Sequence, residues 1–468
     1  MPETTLPSRM PVKVPLVKTP LTVLQTLRAA RRNVLEIIPD IATKQPMVSG
    51  KTAMVRWHMV MDPGALRRVL KDNLANYPKS DVTKNVLRPA IGNSLFIAEG
   101  AHWRWQRRAA APVFSHRNIA ALAPIMSASA EAVCARLEGQ AEADMFAEMV
   151  AATFEVISNV TFSGAGEMTG DDVHKSIDRF IDESARMSLM DIVGVPAWVP
   201  RPKHLFGGNP VADMKRVADA AIEKRRTVGA KPVPDLLDLL LQGMDPETKR
   251  QMNSAELRDN LLTFIVAGHE TTALTLAWAL YLCAFDLDVQ EKLYAEVSNV
   301  LQGRIAGPKD IGKLPYTEQV IKETLRLYPP AAFIARTAQG DDTLCGRKIR
   351  RKDTVMLPIY ALHRNEALWP APNAFNPGRF AKGAKYDRFA WLPFGDGPRV
   401  CIGAHFAMVE AQIILASLIS RYRFTPVAGK APVPEMVITL RPTGGVWLHI
   451  TPRETAAPAA APASPAQS

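Results

Sequence analysis

The sequence predicts a mainly α fold with small β-sheets, built as a single domain. Three observations carry this expectation. Helical patterning dominates from about residue 100 to about residue 330. The stretches that suggest strands are short: Thr52 to Val60 alternates loosely, and Gly340 to Val355 is rich in Gly, Arg and Thr. No internal repeat and no linker splits the body between residues 21 and 453.

Taken in order, residues 1–20 carry prolines at 2, 7, 11, 15 and 20 and read as an extended arm. From Leu21 the pattern turns helical, with Leu21, Leu24, Leu27, Val34, Leu35 and Ile38 on one face. Thr52 to Val60 alternates loosely and suggests a strand, ended by Asp62-Pro63-Gly64. Ala65 to Asn73 reads as a short helix. Residues 75–98 lack clear periodicity, contain Pro78, Pro89 and Gly92, and read as a long loop. Pro196, Pro200, Pro202 and Pro210 break the helical region near its middle. Gly340 to Val355 suggests a small sheet, and residues 369–398, with five prolines, irregular chain. A helix follows from about Gly403 to Tyr422. Residues 454–468 are rich in Ala, Pro and Ser and read as a disordered tail.

Composition narrows the class. Of 468 residues, 47% are hydrophobic and 22% charged, a globular balance that excludes wholesale disorder. The net charge of +11 favours acidic partners, but no Lys/Arg run reads as a nucleic-acid arm. Cys134, Cys283, Cys345 and Cys401 are far apart, which argues against a disulfide framework or zinc knuckle and fits a reduced, cytoplasmic compartment. The opening stretch lacks the apolar run of a signal peptide. No uninterrupted apolar run of 18 occurs, so no membrane span is expected. The nearest candidate, Leu261 to Leu282, carries His269 and Glu270 in its middle.

That candidate belongs to a long helix. Ser254 is a plausible N-cap, Glu256 favours the first turn, and no proline occurs from Arg250 to Gly307. Beyond Leu261 the helix is apolar nearly all round and should be buried. Yet it contains Ala267-Gly268-His269-Glu270-Thr271-Thr272. Mid-helix glycine costs about 1 kcal/mol, and an unpaired buried carboxylate costs more. The cluster therefore suggests a polar pocket, where glycine admits a ligand to the backbone and an acid beside a hydroxyl can relay a proton. A surface-facing polar stripe would look the same, and this segment alone leaves both open.

The sharpest feature runs from Trp391 to Gly403, WLPFGDGPRVCIG. Here Cys401 sits between a Gly/Pro-rich loop and a helix start. Helix N-terminal amides favour the thiolate, the form that binds metal. Arg399 adds positive charge suited to an anionic cofactor group. A lone cysteine is usually a small buried hydrophobe. The pattern F-x-x-G-x-R-x-C-x-G overturns that here, since a chance match in such a chain is on the order of one in ten thousand.

The segment from Phe394 to Gly403 resembles the haem-ligand signature of the cytochrome P450 family, the haem-thiolate monooxygenases. The resemblance spans about residues 20 to 450, with further motifs in the expected order. Ala267 to Thr272 resembles the oxygen-activating element of the family's long central helix. Glu323-Thr324-Leu325-Arg326 matches E-x-x-R, and Phe375 to Phe380 resembles the segment that supplies a second arginine, Arg379, to that glutamate. Trp103 and Arg107 resemble the pair that holds a haem propionate; they lie four apart, on one helix face. Arg336, after Pro329-Pro330, resembles the other propionate-binding arginine. Alone, Trp103 reads as core packing, Arg107 as a solvated charge and Arg336 as a surface residue on a strand. The ordered set makes the cofactor roles the better reading.

The resemblance implies a single cytochrome P450 domain over residues 21–453, with haem b (iron protoporphyrin IX) between the central helix and the cysteine-loop helix. Cys401 would be the axial iron ligand, whose sulfur pushes electron density toward O–O cleavage, a case the family exemplifies. Ala267, Gly268, Phe394, Arg399 and Gly403 would line the cofactor. Thr271 and Glu270 would deliver protons during oxygen activation, which favours O2-dependent monooxygenation. His269, His363 and His405 are not expected as ligands. Electrons would come from a separate ferredoxin, flavodoxin or reductase. The substrate would be an apolar small molecule contacting residues 75–98, 183–210, Ala331–Ile334 and Ile438–Leu440, among them Leu95, Phe96, Met190, Ile192, Val193, Trp198, Ala332, Phe333 and Ile334. Asp191–Pro200 is apolar enough to touch a membrane surface, or to roof the pocket. An H2O2-driven peroxygenase and a non-catalytic haem sensor are the rival functions.

Overall fold

A computed structural model describes residues 10–52, 55–161, 210–436 and 438–453. The strands are β1 (Met47–Thr52), β2 (Val55–Val60), β3 (Glu142–Asp144), β4 (Ile334–Thr337), β5 (Asp342–Leu344), β6 (Arg347–Ile349), β7 (Thr354–Leu357), β8 (Tyr422–Pro426), β9 (Val433–Met436), β10 (Leu440–Thr443) and β11 (Trp447–Pro452). They form one four-stranded sheet in the order β1-β2-β7-β4, one three-stranded sheet in the order β3-β11-β8, and the hairpins β5/β6 and β9/β10. Helices make up most of the rest, around one core that gathers buried side chains from Val14 to Ile450.

At the centre lies the helix Ser254–Phe285, 32 residues, about 48 Å long. Its N-cap is Asn253, not the expected Ser254: the Asn253 side chain accepts from Glu256 N while Glu256 bonds back to Asn253 N. The helix packs against Met145–Thr161 on one side and the cysteine-loop helix Ala404–Arg421 on another. Its core-facing residues are buried all round, as its continuous apolar pattern requires.

Three sequence expectations are corrected. The helix that begins near Leu21 runs only Val23–Arg32. Asn33 leaves the helical conformation, and its side chain caps the short turn Val34–Ile37 while bonding Pro434 O and Met436 N. The single apolar face therefore splits: Val34, Leu35 and Ile38 are buried, whereas Leu24 is exposed. The expected strand Thr52–Val60 is the second arm of a hairpin, β1 pairing antiparallel with β2 without any Gly or Asn to signal the turn. The expected loop 75–98 contains the helix Asp81–Ile91. Ser80 caps it by accepting from Thr83 N, and Pro89, inside the helix, removes one intrahelical hydrogen bond without ending it before Ile91. Gly92, with φ +54°, ends it; any Cβ there would collide with the Asp259 carboxylate.

The arm is extended over residues 10–20, and tyrosines anchor it. Val12 N donates to Tyr281 Oη at 3.0 Å, Val14 N to Tyr360 Oη at 2.9 Å, and Tyr328 Oη to Val12 O at 2.6 Å. Among the described residues, His116–Leu137 is long and apolar enough to cross a membrane by length and composition, although 44% of that window is buried inside the fold.

Candidate functional site

Glu323 and Arg326 form a fully buried fork, Nε–Oε2 2.7 Å and Nη2–Oε1 2.8 Å. Arg379 adds a third contact to Glu323 Oε1 at 3.3 Å, as the motif order implies. The remaining Arg326 donors reach the carbonyls of His363, Pro372 and Ala374. His363, whose buried ring is pushed down to about 3, accepts from Leu392 N at 2.9 Å. The network thus braces the irregular chain leading to Cys401, and His363 is packing and support rather than a ligand.

The loop then turns through Gly395 and Gly397 at positive φ, +66° and +71°. Gly397 is required by contact, because a Cβ would collide with Leu70 O. Cys401 N donates to Phe394 O at 2.9 Å, closing the loop under the first turn of Ala404–Arg421. The sulfur opens onto an interior cavity of about 1460 Å³. Burial pushes its thiol up, against the Gly403 amide and the charges of Arg107 and Lys79. Without a metal the helix terminus alone therefore does not secure the thiolate that the sequence suggests; a bound cation would.

The central helix crosses the same cavity. Ala267, Gly268, Glu270, Thr271 and Thr272 all contribute to its wall. Thr271 Oγ1 donates to Ala267 O at 2.8 Å, and Thr275 Oγ1 to Thr271 O at 2.9 Å. A Cβ on Gly268 would stand 3.3 Å from Ile157 Cδ1, so close packing against Met145–Thr161 also favours glycine there. Glu270 is ion-paired with Arg441 Nε and accepts from Thr439 Oγ1 at 3.0 Å. That pairing satisfies the buried carboxylate that the sequence leaves unexplained. His269 turns away from the cavity into the packing with Phe154, ring centroids 5.9 Å apart.

One end of the cavity is cationic. Arg107, Arg336, Arg399 and Lys79 lie in its wall, with Glu99 the neighbouring acid. Glu99 ion-pairs with Arg399 and accepts from Lys79 N at 2.9 Å. Arg399 also donates to Ala98 O at 3.0 Å and stacks over Trp103, 4.4 Å from the ring centroid. Arg336 is 4% exposed, and its Nε and Nη1 have no protein partner. Burial and Arg399 push it down to about 10. Burial, with Arg336 and Arg399, pushes the Lys79 ammonium well below its ordinary range. Orphaned buried donors among excess cations need an anion. The two propionates of haem b supply that charge, so the residues present fit the implied cofactor.

Two contributors escape the sequence analysis. Lys79 stands beside Arg336 through a backbone bridge, in a stretch that reads as featureless loop. Glu410, 2% exposed in the cysteine-loop helix, has its carboxyl pushed up to about 8 by burial and hydrogen-bonds Thr272. Only the folded crossing of two helices reveals that pairing. Of the expected substrate contacts, Leu95, Phe96, Ala331, Phe333, Ile334, Ile438 and Thr439 line the cavity, whereas Ala332 is buried beside it. Met190, Ile192, Val193, Trp198 and the stretch Asp191–Pro200 lie outside the described residues.

Comparison with known proteins agrees with this geometry. The cytochrome P450 family model matches residues 15–449. Cyclooctat-9-en-7-ol 5-monooxygenase of Streptomyces melanosporofaciens is 31% identical over 401 residues, 85% of this chain and 86% of that protein. Cyclooctatin synthase of the same organism is 32% identical over 386 residues, 81% and 83% of the two chains. The crystal structure of the cytochrome P450DA heme domain superimposes with a TM-score of 0.79 at 24% identity, covering 96% of this chain and 99% of that one.

Proposed function

The chain belongs to the cytochrome P450 family, a haem b monooxygenase by that membership, and we propose that it inserts one oxygen atom from O2 into a large apolar substrate, using electrons from a separate redox partner. The observation that carries the reading is the single cavity shared by Cys401, the Thr271 turn and the cationic end. When bound, haem b supplies oxygen activation through its iron. The chain's own residues do the rest. Cys401 holds the iron from the helix terminus. Arg336, Arg107, Trp103, Arg399 and Lys79 hold the propionates and set the cofactor's orientation. Thr271 holds a hydroxyl at the cavity wall, on the helix that faces Cys401 across the cavity, and is the group that moves a proton. Glu270, bound to Arg441, keeps that turn in place while retaining a carboxylate.

The apolar walls favour hydroxylation or epoxidation of a hydrophobic molecule. Two relatives are named for cyclooctat-9-en-7-ol oxidation and cyclooctatin synthesis, which favours bulky alicyclic compounds as the first to screen. A net charge of +11 suits an acidic electron donor, a ferredoxin or flavodoxin. Four cysteines, all unpaired, suit the cytoplasm.

Thr271→Ala tests the mechanism against the peroxygenase alternative. With a reductase system and O2, the variant should divert electrons from product to peroxide. Unchanged coupling, or wild-type turnover driven by H2O2 equally well without a partner, would overturn the proposal.

A further inference from the structure

Two imidazoles meet outside the cavity, where two helices begin. His116 opens the helix His116–Leu137, and His405 lies in the first turn of Ala404–Arg421; the two helices pack against each other. His116 Nδ1 stands 2.7 Å from His405 Nε2, with ring centroids 4.0 Å apart and ring planes at 58°. Each ring therefore presents one nitrogen to the other. Burial and the neighbouring His116 push His405 below its usual range, and helix N-termini disfavour protonation in the same direction. Two imidazoles with facing nitrogens form a donor set suited to zinc, copper or nickel. Metal–nitrogen bonds of about 2.0–2.1 Å place two ligand nitrogens about 3 Å apart, so the rings need only separate slightly. His116 is exposed and His405 half-buried, which leaves an approach from solvent and room for water ligands.

We propose that His116 and His405 form a two-histidine chelate for a divalent transition ion, one helical turn beyond Cys401 and separate from the haem site. Binding replaces their mutual hydrogen bond: both facing nitrogens become ligands, and the ring that donated moves its proton to its outer nitrogen. Among the described residues no group of three or more His, Cys, Asp or Glu converges on a point, so water completes the shell. Copper should bind more tightly than zinc, and magnesium not at all.

The test is calorimetric titration of the haem-loaded full chain with CuCl2, ZnCl2 and MgCl2 in turn. One saturable site is expected for copper and zinc. His116→Ala and His405→Ala should each weaken it at least tenfold, whereas His449→Ala, a half-exposed histidine beside Glu142, should leave it unchanged. Copper EPR on the same samples should show hyperfine structure from two imidazole nitrogens, a readout independent of how well either variant folds. No saturable binding, equal affinity in all three variants, or a copper signal without two nitrogens would overturn the proposal.

Discussion

Arg336 carries buried donors with no protein partner, so its charge is a cost that only a bound anion offsets. Two opposite effects follow for Arg336→Leu. The haem-free chain should become more resistant to urea, because a desolvated cation is gone. The loaded chain should lose haem to an acceptor protein about ten- to a hundredfold faster, since a charged hydrogen bond is worth about 1.5–3 kcal/mol. Glu410 makes a second prediction. Its folded value of about 8 lies above the unfolded range near 4.3, so the folded chain keeps a proton that the unfolded chain releases. Stability from this group is full below about pH 4 and falls as pH rises to about 8. Denaturation midpoints of Glu410→Gln against wild type should therefore diverge in the variant's favour across that window. Cys401 was legible because it is one of five fixed positions in its loop. Lys79 and Glu410 were not, because their meaning comes from Arg336 and Thr272, far away in sequence.

At the scale of elements, long patterned helices were the readable part. The central helix and the cysteine-loop helix stand where periodicity and the absence of proline put them. Asp81–Ile91 was hidden because Pro89 reads as a breaker, although the helix runs two residues past it. The β1/β2 turn was hidden because nothing in its sequence favours a positive φ. The Glu323–Arg326–Arg379 network was visible as a motif, but its grip on the carbonyls of His363, Pro372 and Ala374 was not. Glu323→Gln leaves two buried arginines facing a neutral group. It should cost about 3–5 kcal/mol in chemical denaturation and lower haem content in proportion.

Across the whole molecule, one cavity joins Cys401, the central helix and a group of cations. The cavity takes up several of the cations in its own wall, while the chain as a whole carries a net charge of +11. Electron delivery from an acidic ferredoxin should slow several-fold between low salt and about 0.5 M salt, through the encounter rate rather than the haem spectrum. The absence of any salt effect would remove the electrostatic part of the partner assignment. At the centre stands the proposal that Cys401 binds haem iron as a thiolate in the cavity it lines. Its most direct test is the absorption spectrum of the reduced, CO-bound protein beside Cys401→Ala. The account predicts a strongly red-shifted Soret band in the wild type that disappears in the variant. A histidine-type band in the wild type, or the same red-shifted band in both proteins, would contradict it.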